Sequence, residues 1–461
     1  MGNLNGFTDD LLLTRQTLNT GADYTVSINK TIYPAIKLLG CVLVLWSTIS
    51  HSELNIQITG GVEGAIPIAV APFGWEGNTS KPPLDIGSII RTDLERSGRF
   101  NLLPVEKMPA VPTKPNLVNF SQWQALGQEN LIFGSFQETF PNRFDTAFYL
   151  YDVFSQKRLI GYRIPTNKTD LRRMTHQISD MVYEKLTGEK GAFATHIAYI
   201  TKINDRNNHP IYQLQVADAD GYGARSIVKS RHPLMSPAWS ANGKYLAYVS
   251  FEHRRPEVFT QDIWSGKRQL ITSFAGINGA PAWSPDGTKL ALTLSKDGNP
   301  DIYIYDMSSK QLQRIVKHYA VDTEPAWSPD GKTIAFTSDR GGSPQIYSVA
   351  AQGGRAKRIS FKGSYNAAAD YSPDGKKIAL VHRNDGKYHI ATLDLKNNNL
   401  NILSKGRQDE SPTFAPNSSM ILYATKTAGQ AQLAAVSIDG RVHQRLSVEA
   451  DEVRDPAWAS N

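Results

Sequence analysis

The sequence contains one cysteine, Cys41, among 461 residues. Cys41 lies in an N-terminal stretch that we expect to be removed on export, so the mature chain would have no disulfide and no thiol for catalysis. The chain also lacks an apolar run of about 20 residues, the length that a membrane-spanning helix requires. These absences exclude a disulfide-stabilised fold and predict a mature chain without a membrane span.

Motifs of catalytic and nucleotide-binding sites are also missing. The sequence has no G-x-S-x-G, H-E-x-x-H, Walker or Rossmann pattern. Its ten histidines are scattered, and the pair His382 and His389 is predicted to lie on the surface. The net charge of +7 is small for this length, and the basic residues form no runs, so nucleic acid binding is not indicated. We therefore expect no cofactor, no metal and no catalytic residue.

Residues 1–52 have the features of a secretory leader. Residues 38–46 (LLGCVLVLW) are uninterrupted apolar, lysines precede them, and serines follow at the minus-three and minus-one positions of a cleavage site. The letters LLGC resemble a lipobox, but the apolar run follows Cys41 instead of leading to it, which favours cleavage over lipid anchoring. We predict export to the periplasm by a cleavable signal peptide and a mature chain that begins at Glu53.

What the sequence does contain is a repeat. PAWSPDG at 281–287 recurs at 325–331, and four less regular copies continue the same interval. The aromatic residues of the six copies follow one another at 43 or 44 residues, and they are Trp239, Trp283, Trp327, Tyr371, Phe414 and Trp458. A constant period of about 40–50 residues, filled with short alternating strands, is typical of the blades of a β-propeller. An open sandwich predicts no constant interval.

The two ends of the repeat predict six blades. The copy at 456–458 is cut off after one strand, whereas 195–230 has strand patterns without a motif in front of them. We infer that the C-terminal strand is the innermost strand of a composite first blade, which removes an open sheet edge. Each Ser-Pro-Asp-Gly suits a hairpin turn. We therefore predict that the aspartates of these turns stabilise the turns and do not bind calcium; they are Asp286, Asp330 and Asp374.

Residues 65–192 have a different pattern, which predicts a small α/β domain. Strand and helix patterns alternate there, and each helix pattern ends at a glycine. The strand patterns cover 65–73, 130–136, 144–153 and 158–164, and the helical patterns cover 85–98 and 169–188. The predicted fold is therefore an α/β N-terminal domain followed by an all-β six-bladed β-propeller, residues 193–461, that the C-terminal strand closes.

Residues 53–64 form a segment between the leader and the α/β domain. Leu54, Ile56 and Ile58 alternate with polar residues, and a Gly-Gly pair then breaks the pattern. The alternation predicts a detachable strand on a flexible tether. An ordinary edge strand of the α/β domain is the alternative that the residues leave open.

The phrases EKLTGEKGAFATHIAYI, PLMSPAWS, NGAPAWSPDG and TEPAWSPDGKTIAFTSD, after a signal peptide and a small α/β domain, resemble the TolB family of the Tol-Pal system. The resemblance covers about residues 40–461. It implies a periplasmic, non-enzymatic adaptor that binds the lipoprotein Pal through its propeller and TolA through the start of its mature chain. Such proteins support constriction and integrity of the outer membrane during cell division, and colicins exploit them. Other outer-membrane proteins are possible partners, and the protein is expected to be a monomer.

The resemblance assigns TolA binding to the mature N-terminus, that is, to Glu53, Leu54, Asn55, Ile56, Gln57 and Ile58. Pal is expected at the mouth of the channel, where the segments that lead into each motif converge on the face opposite the Ser-Pro-Asp-Gly turns. The predicted Pal-binding residues are Ile277, Asn278, Ala280, Thr323, Glu324, Asp370 and Glu410. Among them, Ala280 and Thr323 match the positions through which the family receives Pal.

An enzyme is the alternative from another functional class. A stand-alone propeller lyase or a hydrolase-like protein would act on a periplasmic saccharide or peptide. It would need histidines and carboxylates that converge in the channel, and the motif strands offer mostly proline, alanine and tryptophan.

Overall fold

The structure, a computed structural model, describes residues 56–59, 64–427 and 429–459. The predicted leader at 1–52 lies outside the described residues, and so do Glu53, Leu54 and Asn55. None of the described helices is both long enough and apolar enough to cross a membrane.

The first described strand, β1 (Ile56–Thr59), belongs to the propeller, and the α/β domain follows it in the chain. The strands of that domain are β2 (Ile66–Val70), β3 (Gly74–Trp75), β4 (Phe100–Leu102), β5 (Asn130–Phe140), β6 (Arg143–Asp152) and β7 (Lys157–Asn167). Its helices are α1 (Ile86–Arg96), α2 (Phe120–Gln124) and α3 (Leu171–Thr187), and short 3-10 turns occupy Val105–Lys107, Pro115–Leu117 and Lys168–Asp170.

One mixed sheet of order β4-β2-β5-β6-β7 carries the α/β domain, with β3 paired to β5. Helices α1 and α3 pack on one face, where Ile90, Phe148 and Ile178 are fully buried. Helix α1 begins at Asp85, whose carboxylate accepts a hydrogen bond from the backbone N–H of Ser88 at 2.9 Å, and α3 ends at Gly188 in the left-handed conformation. The sequence therefore predicts both helices correctly.

Six antiparallel sheets make up the propeller, each with four strands from the inner to the outer edge. Blade 1 contains Glu452–Trp458, His196–Asn204, Pro210–Asp218 and Arg225–Ser230, and blade 2 contains Leu234–Trp239, Tyr245–Ser250, Glu257–Asp262 and Arg268–Thr272. Blade 3 contains Asn278–Trp283, Lys289–Leu294, Asp301–Asp306 and Leu312–Arg314, and blade 4 contains Asp322–Trp327, Thr333–Ser338, Gln345–Ala350 and Lys357–Arg358. Blade 5 contains Asn366–Tyr371, Lys377–Asn384, Lys387–Asp394 and Leu400–Ile402, and blade 6 contains Glu410–Phe414, Met420–Thr427, Gln430–Ser437 and His443–Ser447.

The C-terminal strand closes the ring. Glu452–Trp458 pairs antiparallel with His196–Asn204, so that the last strand of the chain is the inner strand of blade 1. The six-bladed fold and its closure by the C-terminal strand are confirmed.

The outer edge of blade 6 holds a fifth strand. Strand β1 pairs antiparallel with His443–Ser447, with Ile56 opposite Leu446 and Thr59 opposite His443. The alternative prediction, an edge strand of the α/β domain, is wrong. An outer blade strand has free backbone N–H and C=O groups along its edge, and β1 satisfies those groups on blade 6.

The repeated motif has the structural role that its residues predict. In blade 3, the hydroxyl of Ser284 donates to Asp286 at 2.5 Å and accepts the backbone N–H of Lys289 at 2.9 Å, while Gly287 has a φ of 69°. The hydrogen bond from Ser284 holds the pKa of the Asp286 carboxyl below its usual value. The same two bonds recur in blade 4 around Asp330 and in blade 5 around Asp374, which confirms the turn role of these carboxylates.

The motif tryptophans link neighbouring blades. The indole N–H of Trp327 in blade 4 donates to the carbonyl of Ala282 in blade 3 at 3.1 Å. The indole of Trp239 makes the equivalent bond from blade 2 to Ala457 of blade 1 at 3.1 Å. These contacts confirm that the motif is a device for joining blades.

Candidate functional site

The two faces of the propeller differ in what covers them. The α/β domain contacts the face that carries the Ser-Pro-Asp-Gly turns, since Arg96 donates to the carbonyl of Ala219 at 3.2 Å and Asn417 donates to that of Lys190 at 2.9 Å. Ala219 and Asn417 both lie in turns on that face. The opposite face surrounds the channel mouth, and the described contacts of the α/β domain do not reach it.

Each inner strand is interrupted at the same place. The pairing with the second strand shifts register three residues before the motif aromatic, and one residue there has a positive φ of 44° to 55°. These six residues are Ser236, Ala280, Glu324, Ala368, Ser411 and Asp455. Such bulges bend a strand and redirect its side chains. Here they form a ring around a channel of about 670 Å³.

A second cavity of about 550 Å³ opens at the mouth over blades 4, 5, 6 and 1. Tyr365 and Tyr388 form one wall with their rings edge to face at 5.3 Å, and Glu410 and Asp455 form another. Partial burial raises the pKa of the Glu410 carboxyl, and the charge of Asp455 adds to that effect. The side chain of Glu410 has no hydrogen bond or salt bridge within the described residues, although the charge of Arg454 in the same cavity acts on it, so its carboxylate is available to a partner.

Two of the predicted Pal-binding carboxylates are engaged between blades. Glu324 of blade 4 accepts the backbone N–H of Ala368 in blade 5 at 2.9 Å. Asp370 of blade 5 accepts the backbone N–H of Phe414 in blade 6 at 2.7 Å, and burial raises the pKa of Asp370 to about 6. Asp370 lies on the channel wall, so its predicted position on the rim is wrong. The reason is that Asp370 follows the bulge by two residues and therefore lies deeper in the channel.

The remaining predicted Pal-binding residues divide into exposed and buried ones. Ile277 is 45% exposed at the mouth, and Ala280 lines the channel. Thr323 is half-buried and accepts a hydrogen bond from the hydroxyl of Thr293 at 3.4 Å. Asn278 is only 1% exposed, and its amide bonds to both backbone groups of Phe274. Asn278 therefore shapes its own loop and does not face the mouth as the sequence predicts.

Three of the loops that lead from an outer strand to the next blade carry a set of exposed apolar residues, of which the sequence predicts Ile277 as a Pal-binding residue and misses the other four. Between 41% and 85% of each side chain is exposed, and the set consists of Phe274, Ile277, Tyr319, Val321 and Phe361. We call these five residues the apolar rim. Because the inner strands begin at the mouth, the connectors that precede them lie there too, in blades 3, 4 and 5. The sequence signal that could have identified the apolar rim is the presence of apolar residues in the connectors between strand patterns.

The predicted TolA-binding residues that the structure describes lie in β1. Ile56, Gln57 and Ile58 are paired with the outer strand of blade 6, opposite Leu446, Arg445 and Gln444. The chain therefore runs from the mouth side at Ile56 towards the α/β domain at Thr59.

The histidine pair of blade 5 differs from its prediction. His382 is 5% exposed, and its Nδ1 lies 2.9 Å from the amide oxygen of Asn366, so the predicted surface position is wrong. Burial lowers the pKa of His382, because a charged imidazolium loses its hydration there. Among the described residues, the channel wall contains no histidine and thus no imidazole for acid-base catalysis.

Comparisons with known proteins agree over both domains. Residues 54–159 match the TolB amino-terminal domain, and residues 183–461 match the TolB beta propeller domain. The chain is 58% identical over 427 residues to the Tol-Pal system protein TolB of Nitrosococcus oceani, covering 92% of this chain and 98% of that protein. The counterpart from Thioalkalivibrio sulfidiphilus is 57% identical, covering 92% and 97%. The crystal structure of TolB from Acinetobacter baumannii aligns with a TM-score of 0.81 at 41% identity, covering 88% of this chain and 100% of that chain. The chain therefore belongs to the TolB family of Tol-Pal system proteins.

Proposed function

We propose that the protein is a non-enzymatic periplasmic adaptor of the Tol-Pal system. It binds Pal at the propeller mouth and TolA through the start of its mature chain, after export by the signal peptide at 1–52. In this role it supports constriction and integrity of the outer membrane during division. Colicins and other outer-membrane proteins are further partners, and the adaptor acts as a monomer.

The observation that carries the Pal assignment is the open mouth face. The α/β domain lies against the opposite face, so a folded partner can reach the mouth without displacing it. The apolar rim supplies exposed hydrophobic anchors, and the cavity beside it supplies the free carboxylate of Glu410. Protein interfaces combine such apolar anchors with a polar surround, and a few of the anchors provide most of the binding free energy.

The electrostatics of the mouth set the chemistry of the partner. Glu410 and Asp455 face one cavity, where burial and the charge of Asp455 raise the pKa of Glu410 and the charge of Arg454 opposes this only in part, so the ionised form of Glu410 is incompletely compensated in the free protein. A basic side chain of Pal would supply that compensation. Binding through this corner of the mouth should therefore weaken as the salt concentration rises.

The position of β1 supports the TolA assignment. The strand is four residues long and pairs along one edge only, so its release breaks few hydrogen bonds. A strand that pairs with a blade edge can pair in the same way with the sheet edge of another protein. We infer that β1 on blade 6 is the idle state of the TolA-binding segment and that TolA takes up the released strand.

The Pal site is tested by filling the mouth. Ala280→Trp narrows the channel opening, and Thr323→Arg places a long charged side chain beside it. We expect each variant to bind Pal at least about tenfold more weakly in isothermal titration, a change of about 1.4 kcal/mol. Gln352→Arg is the matched control, because Gln352 is exposed on the opposite face. Full Pal binding by both mouth variants would place the site elsewhere.

The TolA site is tested by deletion of residues 53–61. We expect the shortened protein to lose TolA capture in a pull-down and to keep Pal capture, since the two sites use different parts of the chain. Equal loss of both partners would contradict the assignment of separate sites.

A further inference from the structure

A cluster of buried charged residues lies where the α/β domain meets blade 1. Asp93 of α1 and His176 of α3 are each 1% exposed, and Asp220, in the turn after the third strand of blade 1, is 8% exposed. Asp218 at the end of that strand is half-buried. Neither the propeller motif nor the channel mouth uses these residues, and the proposed adaptor function gives them no role.

The two nitrogens of His176 have different surroundings. Its Nδ1 lies 2.7 Å from Oδ2 of Asp93, and Arg96 fixes the other oxygen of Asp93 with a hydrogen bond of 3.2 Å. Its Nε2 is buried and has no hydrogen-bond partner among the described residues, although it points towards Asp220 at 3.7 Å. A carboxylate on one imidazole nitrogen and a free second nitrogen is the arrangement in which histidine binds metal ions, because the carboxylate fixes the ring and its tautomer.

The free nitrogen faces two carboxylates. One ligand atom each from His176, Asp218 and Asp220 lies within 4.8 Å of the other two. Two zinc bonds of about 2.1 Å that meet at a tetrahedral angle hold their ligand atoms about 3.4 Å apart, close to the 3.7 Å between His176 Nε2 and Asp220 Oδ2. His196 lies 3.3 Å from the other oxygen of Asp218 and would orient that carboxylate.

A guanidinium group now supplies positive charge at this place. Arg172 donates a hydrogen bond from its terminal nitrogen to Asp220. Its Nε lies 3.4 Å from Oδ2 of Asp218 and has no hydrogen-bond partner among the described residues. Its guanidinium also stacks on the ring of Tyr222, with its central carbon 3.8 Å from the ring centroid. Arg172 can therefore give up the two carboxylates and keep its aromatic contact.

We propose that His176, Asp218 and Asp220 bind a divalent transition-metal ion, with Zn²⁺ as the best fit to one imidazole and two carboxylates. The ion takes the place of the Arg172 guanidinium between the two carboxylates. It joins α3 of the α/β domain to blade 1, so metal binding strengthens the attachment of the two domains. The ligands come from two domains, and no local spacing in the sequence indicates the site.

The test is isothermal titration of the untagged mature protein with ZnCl₂, with MgCl₂ as the hard-cation comparison. We expect one Zn²⁺ per chain and weak or absent Mg²⁺ binding, because an imidazole ligand favours the transition metal. His176→Ala should weaken Zn²⁺ binding at least about tenfold, and Arg172→Ala should strengthen it, because the competing positive charge is removed. His209→Ala is the matched control, since the side chain of His209 is 69% exposed.

Melting temperature gives an independent readout. Zn²⁺ should raise the melting temperature of the wild type and of His209→Ala, and it should leave His176→Ala unchanged, because a ligand stabilises only the fold that binds it. If His176→Ala does not fold, Asp218→Asn, at a half-buried position, replaces it with the same expectation. Equal Zn²⁺ affinity in the wild type and the ligand variant, or weaker binding by Arg172→Ala, would overturn the proposal and leave a cluster of salt bridges between the two domains.

Discussion

Asp370 shows how the position of a single residue on the propeller wall can change its pKa. Its carboxylate accepts the backbone N–H of Phe414 from the next blade, and burial raises its pKa to about 6. The pKa of an unfolded aspartate is about 3.9, so the folded state holds the proton more tightly than the unfolded state does. The stability that this carboxyl contributes is therefore present below about pH 4 and is lost as the pH rises through 6.

Asp370→Asn should remove this loss, because asparagine keeps an oxygen for the Phe414 amide and carries no charge. Relative to the wild type, the free energy of unfolding of the variant should rise by about 1–3 kcal/mol between pH 4.5 and pH 7. Urea unfolding at the two pH values measures this difference. Parallel pH profiles for the two proteins would contradict the assigned pKa.

Trp327→Ala tests the role of the motif aromatic. Trp327 is half-buried against the core shared by blades 3 and 4, so we expect a loss of about 2–3 kcal/mol, below the about 3–5 kcal/mol of a fully buried tryptophan. Trp264 is 70% exposed, and Trp264→Ala should change stability by no more than about 0.5 kcal/mol. The urea midpoint of unfolding should therefore fall in Trp327→Ala and stay close to the wild-type value in Trp264→Ala. Equal midpoints in the two variants would show that the motif ring does not join the blades.

At the scale of secondary-structure elements, some features can be predicted from the sequence and others cannot. The helices α1 and α3, the turns and the closing strand follow from local signals: helical spacing, a terminal glycine, Ser-Pro-Asp-Gly and a fixed period. The place of β1 on blade 6 does not, because its alternating pattern suits any free sheet edge. The same holds for the bulged inner strands, since the residues at the bulges range from alanine to glutamate.

Deletion of residues 53–61 should expose the outer strand of blade 6. We expect the backbone amides of His443–Ser447 to exchange with solvent faster in the shortened protein, because β1 no longer covers that edge. Hydrogen exchange with mass spectrometry measures the change. The outer strand of blade 3, Leu312–Arg314, has no added strand and serves as the internal reference. Unchanged protection of the blade 6 strand would mean that β1 does not bind there in solution.

At the scale of the whole molecule, the two faces of the propeller carry different structural features. The α/β domain, the motif turns and the buried charged cluster lie on one side, and the mouth with its apolar rim lies on the other. The sequence predicts that the turns and the mouth lie on opposite faces, but it does not predict the face on which the α/β domain lies. It does not predict which mouth residues are free, because Asn278, Glu324 and Asp370 make contacts that depend on the neighbouring loop or blade.

The measurement that tests the adaptor account most directly is the affinity of Pal for a protein whose apolar rim is made acidic. In the double variant Ile277→Asp and Tyr319→Asp, both changes fall on exposed side chains, so the melting temperature should stay close to that of the wild type. Trp264→Asp, on the opposite face, is the matched control. The account predicts at least about a tenfold loss of Pal affinity in the double variant and none in the control. Wild-type Pal affinity in the double variant would contradict binding at the mouth.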